Sequence, residues 1–192
     1  HVRGGGALGS AWHRSGQFPL KFNAVTDLEE CAQILVDSGW IDSRMLGSSS
    51  GSAGSAVALS AVNRGIWRPC GCVCCSPFVN IAQSLRRDYD PVSRSDFIEF
   101  GNPEDGLYSR RKIRAILPTS GAHSIDYPDI LVTTGGCDSR ISNIDVAFWI
   151  FKMTIFSHRH VWLPHLSNGG HGTRDFASAI SFWKYCFSSA RS

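Results

Sequence analysis

Apolar positions along the chain follow two rhythms. Ala24, Leu28, Cys31 and Leu35 recur every three or four residues and predict an amphipathic helix. Thr26 and Glu29 stand at capping-box spacing near its start, and Gly39 stands where a glycine can close it. "SAGSAVALSAVN" (52–63) predicts a helix of small residues, and a short helix is expected around 107–116. "IDVAFWIFKMTI" (144–155) is apolar nearly all round and also reads as helix. The tail "DFASAISFWKYCFSSA" (175–190) sets Phe176, Ile180, Trp183 and Phe187 at core spacing. Between these lie short apolar runs bounded by Gly or Pro: "RMLGSS", "CGCVCCSPFV" ended by Pro77, "DILVTTGG" stopped by two glycines, and "HVWLPHL". They read as strands. "HVRGGGALG" (1–9) reads as a strand end opening into a loop, residues 12–23 as an irregular connection, and 81–118 as mixed and loop-rich. Strands and helices alternate, which predicts one α/β domain with a mostly parallel sheet flanked by helices.

Composition narrows the classes. Of 192 residues, 43% are hydrophobic and 18% charged, a globular balance. A net charge of +3 is too small to argue for nucleic acid, and "RRKIR" (110–114) reads as a solvated face. No apolar run approaches the roughly 18–20 residues that span a bilayer, so no membrane association is expected. The chain opens at His1 without the apolar core of a signal peptide. It is expected to be a piece of something longer.

Seven cysteines, four crowded into "CGCVCC", do not form a secreted disulfide pattern. Strand alternation would put Cys70, Cys72 and Cys74 on one face and Cys75 on the other, whereas structural zinc sites draw their pairs from turns. The run reads as a buried strand using cysteine as a small apolar residue. Free thiols imply a reducing, cytoplasmic setting. His158, His160 and His165 flank a predicted strand with no carboxylate or cysteine beside them, and read as surface or packing residues. No metal or cofactor is expected.

"SSSGSAGSAV" (48–57) could be a flexible linker, but it lies where a predicted strand hands over to a predicted helix. A nucleophile elbow needs that setting and small neighbours two residues either side of its serine. Ser50 and Gly54 meet the need around Ser52. The Ala53 N–H would then point toward a developing oxyanion. Asp138 follows the predicted strand 129–136, and His171 sits in a glycine-rich loop after the next. The order Ser, Asp, His is that of α/β hydrolases. His171 would take the Ser52 proton, and Asp138 would orient the imidazole and stabilise its charged form.

The blocks "VRGGGALGSAWHRSG", "LKFNAVTDLEECAQILVDSGW", "SGSAGS", "SPFVN", "EFGNPED", "DYPDILVTTGGCDSRI" and "NGGHG" span nearly the whole chain. In these blocks the chain resembles the C-terminal catalytic domain of the prolyl oligopeptidase family of serine peptidases, most of all the oligopeptidase B branch. The resemblance implies an α/β-hydrolase fold, hydrolysis of short peptides through an acyl-enzyme, and Ser52, Asp138 and His171 as its triad. It implies that Arg140 binds a substrate carbonyl. Asp96 and Glu99, just upstream of the G-N-P block, would select Arg or Lys before the cut, although Ile98 replaces a further acid of that branch. Family members carry an N-terminal β-propeller and an upstream oxyanion-hole tyrosine. Residues 1–192 are therefore expected to be a partial, N-terminally truncated catalytic domain lacking the propeller and the early strands. Two competing readings are a weak or inactive remnant acting as a binding module, and a general esterase.

Overall fold

The computed structural model describes residues 1–86, 93–118, 127–157, 161–163 and 168–189; His158, His160 and His165 lie outside them. After residues 1–9 the order is α1 (Ser10–Arg14), α2 (Phe22–Asp37), a 3-10 turn (Ser43–Met45), β1 (Ser48–Gly51), α3 (Ala53–Arg64), β2 (Gly71–Cys75), α4 (Ile81–Ser84), α5 (Ser93–Phe100), α6 (Leu107–Ala115), β3 (Asp129–Thr133), α7 (Asn143–Ser157), β4 (Val161–Trp162) and α8 (Phe176–Ser189). The four strands form one parallel sheet in the order β1-β2-β3-β4. Gly51 lies opposite Cys75, and Cys75 opposite Thr133, so these three strands end level at one edge of the sheet.

Every residue of β2 is buried, as expected for a strand covered on both faces by helices. Alternation divides its side chains. Cys72 and Cys74 enter the main core with Leu59, Ile130, Val132 and Trp149. Val73 points the other way, onto Leu131, Phe182 and Cys186. Cys70 precedes the strand and packs with this second cluster, not with Cys72 and Cys74 as alternation alone predicted. All seven cysteines are unpaired thiols, and burial pushes Cys74 up to about 12. In β2, cysteine fills core volume.

α3 is buried along most of its length by Ser55, Ala56, Ala58, Leu59, Ser60, Ala61 and Val62. Its small side chains let α2 lie close against it. On α6, Arg110, Arg111, Lys112 and Arg114 are exposed while Ile113 is buried, so the basic run is the solvated face that it was expected to be.

Four further expectations are corrected. α2 begins at Phe22, a turn before the capping box, so Thr26 lies inside the helix and makes no cap. Its buried face is Ala24, Val25, Glu29 and Ala32, while Cys31 and Leu35 are exposed. Tertiary contacts set that rotation. Glu29 pairs with Arg64 of α3 at 2.7 Å, and Asp27 is gripped by Arg3. In α8, Phe182 and Cys186 face the core, while Phe176 and Ile180 are exposed. Residues 1–9 form turns, not a strand end.

The Arg3 backbone N–H donates to Asp27 Oδ2 at 2.7 Å, and its guanidinium grips both carboxylate oxygens. The same segment presses against Gly16, where a Cβ would lie 2.2 Å from the Gly4 nitrogen. Arg3 thus ties the N-terminal turn to α2. Its hydrogen bond is the main cause that holds the Asp27 carboxyl below its ordinary value. A carboxyl lowered on folding contributes stability that is present above its unfolded pKa of about 3.9 and lost as pH falls through the folded value. Asp27→Asn should therefore lower the melting temperature at pH 7. The gap to the parent protein should narrow as pH falls below that unfolded value, as a melting series against pH would record.

Candidate active site

In a parallel sheet, loops that leave the strand C-termini gather at one edge. Three of them meet here. Ser52 follows β1 directly, with φ 50° and ψ −126°. Among the described residues only Ser52 and Ser76 combine a side chain with positive φ, and such a backbone costs on the order of 1–3 kcal/mol. Two hydrogen bonds, one to the last residue of β2 and one to the turn after it, hold Ser52 there. Its N–H donates to the Cys75 carbonyl at 2.9 Å, and its own carbonyl accepts from Phe78 N–H at 3.1 Å. Behind the turn, Ser50 Oγ donates to buried Ser55 Oγ at 3.1 Å. These two serines therefore tie the strand side of the turn to the helix side. As the first residue of α3, Ala53 has an N–H with no partner inside the helix.

Asp138 lies past β3, its side chain fully enclosed. The N–H groups of Arg140 and Ile141 each donate to its Oδ1 at 2.9 Å. His171 reaches it from the glycine loop before α8, with Nδ1 3.0 Å from Oδ2 and 3.1 Å from Oδ1. The other ring nitrogen, Nε2, is 3.1 Å from Ser52 Oγ. With the proton on Nδ1, hydrogen-bonded to the carboxylate, Nε2 presents its lone pair to the serine hydroxyl. Hydroxyl, imidazole and carboxylate thus form one continuous chain that can accept the serine proton.

Burial pushes the Asp138 carboxyl up. The Ile141 N–H, the His171 ring, the Arg140 N–H and Ser76 outweigh it, so the acid lies below its ordinary value. Ser76 is a residue that the sequence reading passed over as a strand end. It is fully buried, and its φ of 43° turns the chain after β2. Its hydroxyl has no hydrogen bond of ordinary geometry, yet is close enough to Asp138 to help hold the acid down. Nothing in "CCSPFV" signals this; it depends on how β2 and β3 align.

The remaining candidates sit differently. The Arg140 side chain is exposed beside the Asp138 turn. Asp96 and Glu99 belong to α5 and not to the loop expected for them. Glu99 is already engaged: Lys21 Nζ lies 2.7 Å from Oε2, and Gln17 Nε2 donates to Oε1 at 3.0 Å. Burial works against ionisation of Glu99, but Lys21 and Gln17 prevail and its carboxyl is lowered. A cleft of about 450 Å³ opens under the ends of β1–β3, lined by Gly51, Cys75, Thr133, Phe176, Ile180 and Trp183 among others. Ser52, Asp138 and His171 do not line it. Among the described residues, no three His, Cys, Asp or Glu side chains are grouped to hold a metal ion.

The parallel sheet with its flanking helices and the strand-to-helix turn at Ser52 define an α/β-hydrolase fold. The chain belongs to the prolyl oligopeptidase family, whose sequence profile matches residues 1–187. It is 26% identical over 174 residues to Protease 2 of Moraxella lacunata, covering 89% of this chain and 25% of that protein. It is 28% identical over 141 residues to a human prolyl endopeptidase-like protein, covering 73% of this chain and 19% of that one. Oligopeptidase B from Leishmania major superposes with a TM-score of 0.82 at 23% identity, covering 99% of this chain and 26% of that one. The chain thus spans about a quarter or less of the length of these relatives.

Gly135 controls how closely the acid and base loops approach. A Cβ there would lie 2.2 Å from the Gly169 carbonyl oxygen and 2.5 Å from that of Gly170. Both are backbone atoms next to His171 and cannot swing aside. Gly135→Ala should cost about 1–3 kcal/mol and pull His171 off Asp138. The loss of the low-field imidazole N–H proton resonance would register that separation. Gly54→Ala adds a methyl where nothing lies within 4 Å and should leave the resonance in place.

Proposed function

We propose that these residues form part of the catalytic domain of a serine peptidase that cleaves short peptides by acyl transfer. The supporting observation is the hydrogen-bonded chain from Ser52 through His171 to Asp138, set on a left-handed strand-to-helix turn. Ser52 Oγ attacks the peptide carbonyl as His171 Nε2 takes its proton, and the imidazolium is stabilised by the Asp138 carboxylate. The Ala53 N–H donates to the oxyanion. His171 returns the proton to the leaving amine, and water then releases the acyl group by the same steps. The Arg140 guanidinium, exposed beside Asp138, binds a substrate carbonyl.

A fluorophosphonate probe should label Ser52, Ser52→Ala should abolish labelling, and Asp138→Asn should slow it by about 10⁴. Soluble, folded protein that stays unlabelled would end this reading for the chain. Esterases take the same probe, so release of amine from peptide substrates is the second measurement.

Selection for Arg or Lys before the cut rests on Asp96 and Glu99, and Lys21 already compensates the Glu99 charge. The preference for a basic residue over an apolar one is therefore expected to stay below about tenfold, roughly 1.4 kcal/mol. Asp96→Asn should reduce it. Glu99→Gln should act mainly on the melting temperature, because it frees Lys21. A peptide series varied at the residue before the cut tests both.

A further inference from the structure

Helix α7 is apolar nearly all round, a pattern that predicts burial on every side. The structure buries only one side. Val146, Trp149 and Met153 enter the core, and the opposite side carries Ile144 at 82% exposure, Phe148 at 55%, Phe151 at 61% and Ile155 at 49%. The spacing of these four is 4, 3 and 4 residues, the spacing of a coiled-coil seam. Two charges lie along one flank of the stripe. Asp145 accepts from Asn80 Nδ2 at 3.0 Å, which fixes its carboxylate. Lys152 lies over the Phe148 ring at 4.9 Å. The other flank has only Ala147 and Thr154, small enough for a second helix to approach closely.

We propose that this stripe is the contact through which two copies of the chain pair, with their α7 helices antiparallel. Antiparallel packing lays Phe148 on Phe151 of the second copy and Ile144 on Ile155. The same register sets Asp145 beside Lys152 of the second copy, and the two-fold axis repeats each contact. A parallel arrangement would leave Lys152 facing Ala147 and gain no ion pair. The charge pattern selects the antiparallel partner, and that partner is the chain itself.

Four side chains from each copy make an interface below the ~800 Å² per partner of a standard complex, so association is read by sedimentation over about 1–200 µM. The mass should rise with concentration from 21.0 kDa toward twice that value. Phe148→Glu, at an exposed position, should leave the melting temperature in place and hold the protein monomeric. Lys152→Asp should weaken pairing at least tenfold by placing two acids together. Adding Asp145→Lys should restore it to within about threefold. A protein monomeric throughout the range, or pairing unaffected by Phe148→Glu, overturns the proposal. Failure of the charge swap to restore pairing in folded protein overturns the antiparallel register and the proposal with it.

Discussion

The corner that brings Ser52, His171 and Asp138 together depends on a backbone exchange between the end of β1 and the end of β2 with the turn that follows it. Ser52 donates its N–H to Cys75 and accepts at its carbonyl from Phe78. A serine with φ of 50° does not hold that shape unaided. These two bonds fix it from both sides, and they exist because β1 and β2 run parallel in a register that sets Gly51 against Cys75. A one-residue slip would exchange the faces of β1 and aim the hydroxyl away from His171. The buried cysteines of β2 support the geometry from below, since their packing in the core anchors the carbonyl that Ser52 needs.

Much of this was legible in the chain. The small-residue helix, the strands at 70–79 and 129–136, and the three loops holding Ser52, Asp138 and His171 all follow from short-range pattern. The handover from "SSSG" to "AVAL" carries the turn, because few other sequences tolerate so tight a bend. The quoted blocks carried the family, which the profile match over 1–187 shows. What pattern could not carry was rotation and partnership. The helix expected to bury Phe176 and Ile180 turns Phe182 and Cys186 inward instead, with Trp183 packed beside them, since the fit against Val73 and Leu131 outweighs the count of large apolar residues on a face. Capping-box spacing at Thr26 gave way to the clasp of Arg3 on Asp27, 24 residues apart. Glu99, read as an acid open to substrate, is held by Lys21 from 78 residues away. Each miss is a long-range contact, invisible to any window of a dozen residues.

Polar groups are handled differently on the two sides of the edge that carries Ser52. Below it, Ser50 and Ser55 satisfy each other, and Ser60 Oγ donates to the Ile116 carbonyl at 2.7 Å. At the edge, Asp138 gathers two backbone donors and a ring nitrogen, enough to stay ionised although enclosed. An enclosed carboxylate is costly without such donors. The loop after β3 exists largely to supply them, and its last residues lead directly into α7, so the acid's turn is anchored by that helix through Trp149 and Met153.

The missing side chain at position 135 has a wider meaning for this arrangement. The gap between the acid's loop and the imidazole's loop is set by contact of main-chain atoms, Gly135 against Gly169 and Gly170. Main-chain atoms have no rotamers to exchange, so the spacing behaves as a fixed gauge with a hard stop, where a side-chain spacer would act as a soft spring.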